Sequence, residues 1–300
     1  MNIIGAGLTG LIAAYAFKDA VIHEYLKEPR VHKAVLRFRT EEVSKLTGIP
    51  FKKVLVHKAV SENGGFVTPN LRHMNHYSLK VTGGYSERSI GNLEPAIRYI
   101  APIDFHQQML EHHKDRILFG SCVPLTKMTT PVISTLPLSV LVDKFKLDAQ
   151  LPKEALASAP IYVTTVDFTH CDLYQTIYFP ELDTPIYRAS MTGSQLIIES
   201  MRPITNDDAR KVVDTFGLSC GSVHAIGLFN MEQKIGKFEP LEEEYRKQLM
   251  YDITTSLGIY SLGRHATWRK ILLDDVVQDI NQIQYMIKTS AYDRMIGAKK

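Results

Sequence analysis

The chain has 300 residues, of which 45% are apolar and 22% are charged, and its formal net charge is only +3. This composition is ordinary for a globular protein and argues against intrinsic disorder. Because 35 basic residues nearly balance 32 acidic ones, the overall charge gives no argument for nucleic-acid binding. The length allows a substantial core, in one large domain or in two intertwined ones.

The cysteine and histidine spacing excludes the common metal motifs. Cys122, Cys171 and Cys220 stand far apart and form no CxxC pair, so neither a zinc knuckle nor a redox dithiol is indicated. The histidines near Glu111 lack the HExxH spacing of zinc hydrolases. We therefore expect no metal site and a reducing, cytoplasmic environment.

The uncharged N-terminus does not match a signal peptide. The first 17 residues carry no charge, but no basic leader precedes them and glycines interrupt them. No later stretch reaches the ~18 uninterrupted apolar residues of a membrane helix. We expect a soluble protein with no membrane partner.

In chain order, the N-terminus predicts a compact βαβ unit. Residues 2–4 form a short apolar strand, residues 5–10 a glycine turn, and residues 11–18 an alanine-rich helix. Residues 20–25 (AVIHEY) predict a second strand that ends in a charged residue.

The pattern is weaker in the next hundred residues. Residues 41–46 predict a short helix that Thr40 caps. Residues 61–92 are rich in Gly, Ser, Asn and His and predict loops and weak strands. Residues 94–99 and 104–113 predict helices.

The second half begins with predicted strands at 117–123 and 132–136 and a predicted helix at 139–145. Four β-rich runs then follow, separated by turn signals: 161–168, 173–179, 186–191 and 195–199. This ladder predicts an antiparallel sheet. The remaining predicted helices lie at 207–216, 242–257 and 275–290.

The most informative motif is GAGLTG at residues 5–10. Its first glycine permits a tight turn, its second lets the backbone approach a diphosphate, and its third lets the helix pack closely on the strand. The N-terminus of the following helix offers free N–H groups and a positive dipole end to phosphates. The motif predicts dinucleotide binding, although a glycine turn without a ligand would leave the same letters.

Glu24 ends the second predicted strand, 14 residues after Gly10. A carboxylate at this position can accept a hydrogen bond from a ribose hydroxyl. It favours a free 2′-hydroxyl, and hence FAD or NAD over NADP.

Four pieces of the sequence resemble FAD enzymes of the amine oxidase, protoporphyrinogen oxidase and UDP-galactopyranose mutase type. They are GAGLTG with Glu24, VISTLPL at 132–138, TPIYRAS at 184–190 and LGRHATW at 262–268. The second is similar to the strand that returns to the nucleotide domain, and the third to a substrate-domain strand. The fourth is similar to the closing motif, whose helix N-terminus faces the flavin.

The resemblance implies FAD as cofactor and an α/β fold, with a Rossmann-type FAD-binding domain built from discontinuous segments and an antiparallel substrate sheet. It implies that residues 1–60, 115–150 and 258–300 form the FAD-binding domain, and that 61–114 and 151–257 form the substrate domain. The expected cofactor-binding residues are Gly5, Gly7, Leu8, Thr9, Gly10, Glu24, Arg39, Val123, Thr135, Gly263, Arg264, Thr267 and Trp268.

The sequence departs from the family in two ways. KAVLRFR at residues 33–39 stands where the family has a GG-containing segment, and the chain is much shorter than most members. Within this run Arg37 and Arg39 alternate, so one of them is placed to touch a phosphate, while a solvated pair explains the pattern equally well.

Three residues are candidates for the catalytic site. Arg188 follows Tyr187 on the strand expected to line the substrate cavity, where a guanidinium can clamp a carboxylate or a phosphate. A surface salt bridge is the alternative for Arg188. His265 follows the Gly-Arg turn of the closing motif, near the expected flavin, and a capping or packing histidine is equally compatible with its position.

These features lead to one functional hypothesis and two rivals. The first is an FAD-dependent oxidoreductase that takes a hydride from a small polar substrate, amine or amino-acid-like. The second is a flavin-dependent lyase or isomerase without net redox. Residues 32–58 also resemble compact bacteriophage flavoproteins, some thought to tailor amino-acid-modified thymine bases in DNA, and a modified DNA base is then the partner. The third is a non-catalytic protein that retains the fold. The sequence does not determine the oligomeric state.

Overall fold

A computed structural model describes residues 1–30, 32, 34–85, 90–122, 125–147, 156–239 and 241–289. The strands are β1 (Asn2–Ile4), β2 (Val21–His23), β3 (Arg37–Phe38), β4 (Lys52–Glu62), β5 (Gly65–Val67), β6 (Ala96–Ile100), β7 (Ile117–Leu118), β8 (Val132–Ser134), β9 (Ser158–Phe168), β10 (Leu173–Tyr178), β11 (Ile186–Gly193), β12 (Gln195–Ser200), β13 (Val223–Ile226), β14 (Met231–Phe238) and β15 (Ile259–Ser261). The helices are α1 (Leu8–Ala16), α2 (Glu42–Thr47), α3 (Leu71–Thr82), α4 (Phe105–His113), α5 (Leu138–Phe145), α6 (Asn206–Thr215), α7 (Glu243–Leu257) and α8 (Leu273–Lys288).

The first sheet has five parallel strands in the order β15-β8-β1-β2-β7. Neighbouring strand residues point to opposite faces, so Ile3 packs against α1, α2, α4 and α8 while Ile4 packs with α5 and α7. Both faces are therefore covered by helices, as parallel sheets require. The predicted Rossmann-type α/β arrangement is confirmed. The strand order turns back at β1, which places a ligand crevice at the carboxyl end of that strand.

The second sheet has ten strands and runs β13-β9-β12-β11-β10-β4-β6-β3, with β14 paired to β9 and β5 to β4. Its pairs are antiparallel except for β10 with β4. The predicted antiparallel sheet is therefore present, with one parallel pair at the point where the chain returns from the N-terminal half.

The two faces of this large sheet differ in chemistry. One face carries apolar side chains such as Ile177 and Met191, which pack against α6. The opposite face carries Thr176, Arg188 and Thr192 at the alternate positions, and we call it the polar face. The polar side chains occupy the middle of this face, whereas Val60 and Tyr178, beside α3, belong to an apolar cluster.

Several local predictions are wrong. Thr40 does not cap the short helix, because the N-cap of α2 is Glu41 and the Thr40 hydroxyl donates to Asp274 at 3.2 Å.

Two segments differ in secondary structure. Residues 94–99, predicted as a helix, lie mostly in β6, because pairing with β4 overrides the local helical pattern. Residues 61–92, predicted as loops and weak strands, contain helix α3. Asn70 caps this helix by accepting from the His73 amide, and Gly83 ends it in the left-handed conformation.

The packing departs from the predicted domain segments at three places. Strand β3 and most of β4 fall within residues 1–60, yet they pair in the large sheet. Helix α4 falls within residues 61–114, yet it is buried in the core around α1. Helix α7 falls within residues 151–257, yet it packs on the five-stranded sheet beside Ile4. In each case long-range packing decides the partner, and sequence position does not reveal it.

Within the described ranges, no helix combines the length and apolarity that crossing a membrane requires. The same residues contain no group of three or more histidine, cysteine or acidic side chains placed to hold a metal ion.

Candidate functional site

The fingerprint loop, residues 5–10, is built on two glycines that no other residue can replace without strain. Gly5 has φ of +98° and lies against Thr135, so a Cβ at this position would overlap the Thr135 hydroxyl. A Cβ on Gly10 would overlap the carbonyl of Gly5. These contacts bring helix α1 close to the end of β1, as the fingerprint predicts.

Gly7 has the opposite surroundings. It is the N-cap of α1 in an extended conformation, with φ of −74°, and no side chain caps the helix. A Cβ on Gly7 would meet nothing within 4 Å. The first helical N–H groups, from Leu8, Thr9 and Gly10, therefore face a space that a diphosphate can enter.

Glu24 is fixed beside this loop at the end of β2. Its Oε2 accepts from the Ala6 amide at 2.8 Å, and its Oε1 accepts from the Leu26 amide at 3.0 Å. Each carboxylate oxygen has a further lone pair. The two amide bonds orient the carboxylate so that it can receive ribose hydroxyls.

Thr135 closes the other side of the crevice, directly after β8. Its amide and its hydroxyl both donate to the carbonyl of Ile4, at 3.0 and 2.7 Å. These bonds tie β8 to the end of β1, where the strand order reverses. The nearby hydroxyl of Ser261, at the end of β15, is buried and has no hydrogen-bond partner among the described residues. A polar ligand in the crevice would suit this donor, and the dinucleotide fits the residues present.

The closing turn, residues 263–268, packs against the start of α1. Gly263 has φ of +93°, and a Cβ there would lie 2.8 Å from the Thr9 methyl. The Thr267 amide and hydroxyl donate to the Gly263 carbonyl at 3.0 and 2.8 Å, which fixes the turn. The turn thus extends the crevice from the fingerprint loop towards the large sheet.

The large side chains of the closing turn bind strand β14. The Arg264 Nη2 donates to the Gly236 carbonyl at 3.3 Å, and the Trp268 indole donates to the Glu239 carbonyl at 2.9 Å. The His265 ring lies edge-on to the ring of Phe238 in the same strand, with 6.2 Å between the ring centres. These three side chains therefore join the closing turn to the large sheet.

Two of the predicted cofactor-binding residues have side chains that contact other parts of the protein. Trp268 is buried, with 1% exposure, and its ring packs 4.6 Å from that of Phe238. Its indole is thus packed in the core beside the closing turn. The Arg39 guanidinium pairs with Asp274 and Asp275 at the start of α8. Val123, another predicted contact, lies outside the described residues.

A cavity of about 760 Å³ lies between the closing turn, α3 and the large sheet. All three predicted catalytic residues line it: Tyr187, Arg188 and His265. Its described lining is rich in positive charge, with two carboxylates, Glu199 and Glu239, against five cationic side chains: Lys80, Arg188, Lys237, Arg264 and Lys270.

A hydrogen-bonded network organises one wall of the cavity. The Glu199 carboxylate accepts two bonds from the Arg188 guanidinium, one from Nε and one from Nη2 at 2.7 Å. It also accepts from the Tyr187 hydroxyl at 3.1 Å. Burial opposes the charge of Glu199, but the Arg188 guanidinium holds the pKa of this carboxyl below its usual range. Burial and the neighbouring carboxylate raise the pKa of Tyr187, so its phenol stays protonated.

Three residues of this cavity were not predicted from the sequence: Glu199, Lys237 and Lys80. Glu199 lies opposite Arg188 in the β11–β12 hairpin, and extending the predicted strands outward from their turn would have found the pair. The Lys237 ammonium lies 4.5 Å from the centre of the Tyr187 ring.

Lys80 belongs to the unpredicted helix α3. Its ammonium donates to the carbonyls of Phe179 and Ile186 at 2.7 and 2.8 Å. Burial lowers the pKa of Lys80 to about 8, against the smaller opposing effects of Glu181 and Asp183.

Sequence comparison alone finds no relatives, since no protein-family model and no curated protein matches the chain. Solved structures do match. The chain is similar to a reduced UDP-galactopyranose mutase, with a TM-score of 0.69 and 15% identity over 97% of this chain and 96% of that one. It is also similar to a putrescine oxidase bound to putrescine, with a TM-score of 0.56 and 11% identity over 96% and 98%. An oxidoreductase from Methanosarcina mazei matches with a TM-score of 0.50 and 10% identity over 95% and 99%.

All three neighbours are enzymes by their names, namely a mutase, an oxidase and an oxidoreductase. At such low identity the likeness shows the fold. It extends over nearly the whole chain, and it confirms the fold predicted from the sequence.

Proposed function

We propose that this chain is an FAD-dependent oxidoreductase whose substrate is small, polar and amino-acid-like, with an anionic group. The observation that carries the proposal is the position of the cation-rich cavity. It meets the closing turn, which itself packs on the fingerprint loop.

The cofactor half of the proposal rests on the crevice at the end of β1. Gly7 leaves room for a diphosphate, and Glu24 is oriented to receive a ribose. FAD, when bound, supplies a ring that accepts a hydride from the substrate. The dinucleotide would reach from Glu24 past Gly7 towards the closing turn.

The substrate half rests on the charge of the cavity. Cationic side chains outnumber carboxylates among its described lining residues, and Glu199 is already paired with Arg188. Like charges repel strongly in a partly buried site. The cavity therefore favours a carboxylate or phosphate group over a simple amine.

Two side chains have the properties that substrate binding and proton transfer need. Arg188 is held by Glu199 through Nε and Nη2, which leaves the donors of Nη1 for an anionic group. Burial, and then the charge of Arg264, lower the pKa of His265. At neutral pH this imidazole is uncharged and can accept a proton. Tyr187 acts through Glu199 as a positioning residue.

The test is anaerobic mixing of the yellow protein with free amino acids and with simple amines, followed by loss of flavin absorbance. The proposal expects bleaching by an amino acid and none by the amine that lacks the carboxylate. Arg188→Lys should raise the half-saturating concentration about tenfold or more, because lysine keeps the charge but loses the planar fork. Arg210→Lys, on the exposed face of α6, is the matched control and should behave as wild type. Bleaching by simple amines alone would contradict the proposed substrate.

The second candidate is a flavin-dependent lyase or isomerase without net redox, acting on a phosphate-bearing substrate such as an amino-acid-modified thymine base in phage DNA. The likeness to UDP-galactopyranose mutase favours a reaction of this class. The cationic cavity would suit a phosphate as well as a carboxylate. Lys52 and Lys53, exposed at the start of β4, would then contact the DNA backbone.

Salt distinguishes the two candidates. Conversion of modified DNA should weaken steeply with salt, and further in a Lys52→Gln/Lys53→Gln double variant, because phosphate contacts release counterions. Turnover of a free amino acid should depend little on salt. Salt-insensitive bleaching by a free amino acid would rule out the DNA candidate, and conversion of DNA without any such bleaching would rule out the oxidoreductase.

A further inference from the structure

Arg37 is half-buried on the polar face of the large sheet and makes four hydrogen bonds there. Its Nε donates to the Thr192 hydroxyl at 2.5 Å and its Nη1 to the Thr176 hydroxyl at 2.7 Å. Its Nη2 donates to the carbonyls of Gln175, at 3.0 Å, and Met191. All four acceptors are neutral oxygen atoms.

The charge of Arg37 therefore has no carboxylate bonded to it among the described residues, whose ion pairs all lie elsewhere. Burial, and then the positive charge of Arg188, lower the pKa of Arg37 to about 10, against the smaller opposing effect of Glu199. The group remains protonated at neutral pH. Even a partly buried cation without a bonded anion is costly for a fold. A cation held in such a position is suited to bind the anionic group of a ligand.

The position of Arg37 shows where that anion would be. Before it in the chain, the His32 amide donates to the His106 ring of α4 at 3.2 Å, and α4 packs on α1, which follows the fingerprint loop. After it, the Thr40 amide donates to the Asp274 carboxylate in the first turn of α8 at 2.9 Å. The segment that carries Arg37 thus runs beside the helices of the cofactor crevice, while its guanidinium lies on the polar face, close enough to feel the charge of Arg188 on the cavity wall.

We propose that the charge of Arg37 stabilises the negative charge of the reduced flavin. This inference rests on the proposed FAD-dependent function. A flavin that receives a hydride at N5 gains two electrons and one proton, so its pyrimidine ring holds a negative charge unless N1 takes up a second proton. A cation nearby favours the anionic form. It raises the reduction potential of the flavin and lowers the pKa of N1.

Two replacements separate charge from hydrogen bonding. Arg37→Gln keeps a donor but removes the charge, and Arg37→Lys keeps the charge but loses the fork. Arg210→Gln is the matched control, because the exposed Arg210 guanidinium on α6 pairs with Asp207 and lies away from the cavity. The measurements are the midpoint potential, from reductive titration with a reference dye, and the pH at which the reduced flavin changes from its anionic to its neutral spectrum.

Arg37→Gln should lower the midpoint potential and raise the pKa of N1 by about 1 unit or more, the usual size of the effect of one neighbouring charge. Arg37→Lys should restore most of both values, and Arg210→Gln should change neither. Unchanged values in Arg37→Gln, or equal shifts in the glutamine and lysine variants, would show that Arg37 only holds β3 in place.

The wild type supplies a second test if Arg37→Gln does not fold or does not hold flavin. Its reduced flavin should keep the anionic spectrum down to the lowest pH at which the protein stays folded. A neutral spectrum near the pH at which free reduced flavin titrates would overturn the role of Arg37. A wild type without flavin absorbance would refute the proposed function itself, so the two failures are distinguishable.

Discussion

The fingerprint loop and the cavity wall form two halves of one site in opposite ways. At the loop, the chain removes side chains: Gly5 and Gly10 have no room for a Cβ, and Gly7 leaves an open space. At the wall, charged side chains from separate strands meet, as Arg188 and Glu199 do. The difference indicates which substitutions should impair each half. Added atoms should impair the loop, and removed charges should impair the wall.

The largest expected effect comes from adding one methyl group to the loop. Gly10→Ala places a Cβ on the Gly5 carbonyl, and overpacking of this kind costs about 1–3 kcal/mol or more. The apoprotein should lose this much stability in urea unfolding and should no longer retain FAD.

Gly7→Ala is the matched control for Gly10→Ala. Gly7 has a φ that alanine adopts freely, and its Cβ would meet no protein atom. The apoprotein should keep its stability within about 0.5 kcal/mol, while FAD binding should weaken because the methyl occupies the diphosphate space. Full retention of FAD affinity by Gly7→Ala would show that the diphosphate does not approach this residue.

The next effect removes a charge from the cavity wall. Glu199→Gln removes the largely buried partner of Arg188, whose guanidinium is partly exposed, and should cost about 1–3 kcal/mol of unfolding free energy. Because the folded pKa of Glu199 is lowered, its contribution is present at neutral pH and is lost as the pH falls through that value. Asp207→Asn, in an exposed pair with Arg210, should cost less than about 1 kcal/mol. Equal costs for the two variants would contradict the account of the wall.

The pH dependence of the unfolding free energy tests the role of Lys80 in the same wall. Its pKa is lowered from 10.5 to about 8, so between these values the unfolded chain binds more protons than the folded one. The unfolding free energy should therefore rise with pH in this window, by about 1–2 kcal/mol between pH 7 and 9.5. Lys80→Met should abolish the rise, whereas Lys247→Met, at an exposed position, should keep it. A rise that persists in Lys80→Met would assign the titration to another group.

The last effect concerns affinity and not folding alone. Glu24→Ala removes the acceptor expected for the ribose, and FAD should bind about tenfold more weakly or worse, from a loss of about 1.5–3 kcal/mol. Titration of the apoprotein with FAD measures this change. Glu28→Ala, nearby and exposed, should bind as wild type. Equal affinities for the two variants would mean that Glu24 only ties Ala6 to Leu26.

The difference between the loop and the wall also explains which parts of the site could be predicted from the sequence. The fingerprint could be recognised in the sequence because its function requires glycines, which lack a Cβ, at fixed spacing. The strand before it and the helix after it were also predicted to within a few residues. The Arg188–Glu199 pair was also within reach, since the turn at residues 192–194 sets the register of the hairpin.

The remaining parts of the site depend on long-range pairing. Nothing near Lys80 in the sequence indicates that α3 packs on the β10–β11 connection, although Asn70 and Gly83 mark the ends of the helix. The burial of Arg37 depends on the partners of a two-residue strand. A strand of that length carries no periodic signal, so its position follows only from the folded structure.

The central claim is that the crevice at the end of β1 holds FAD. The most direct measurement is to release the cofactor from the purified protein by heat and to identify it by chromatography. The account predicts FAD in about equimolar amount, as one fingerprint loop implies. A colourless protein that binds only NAD would contradict it.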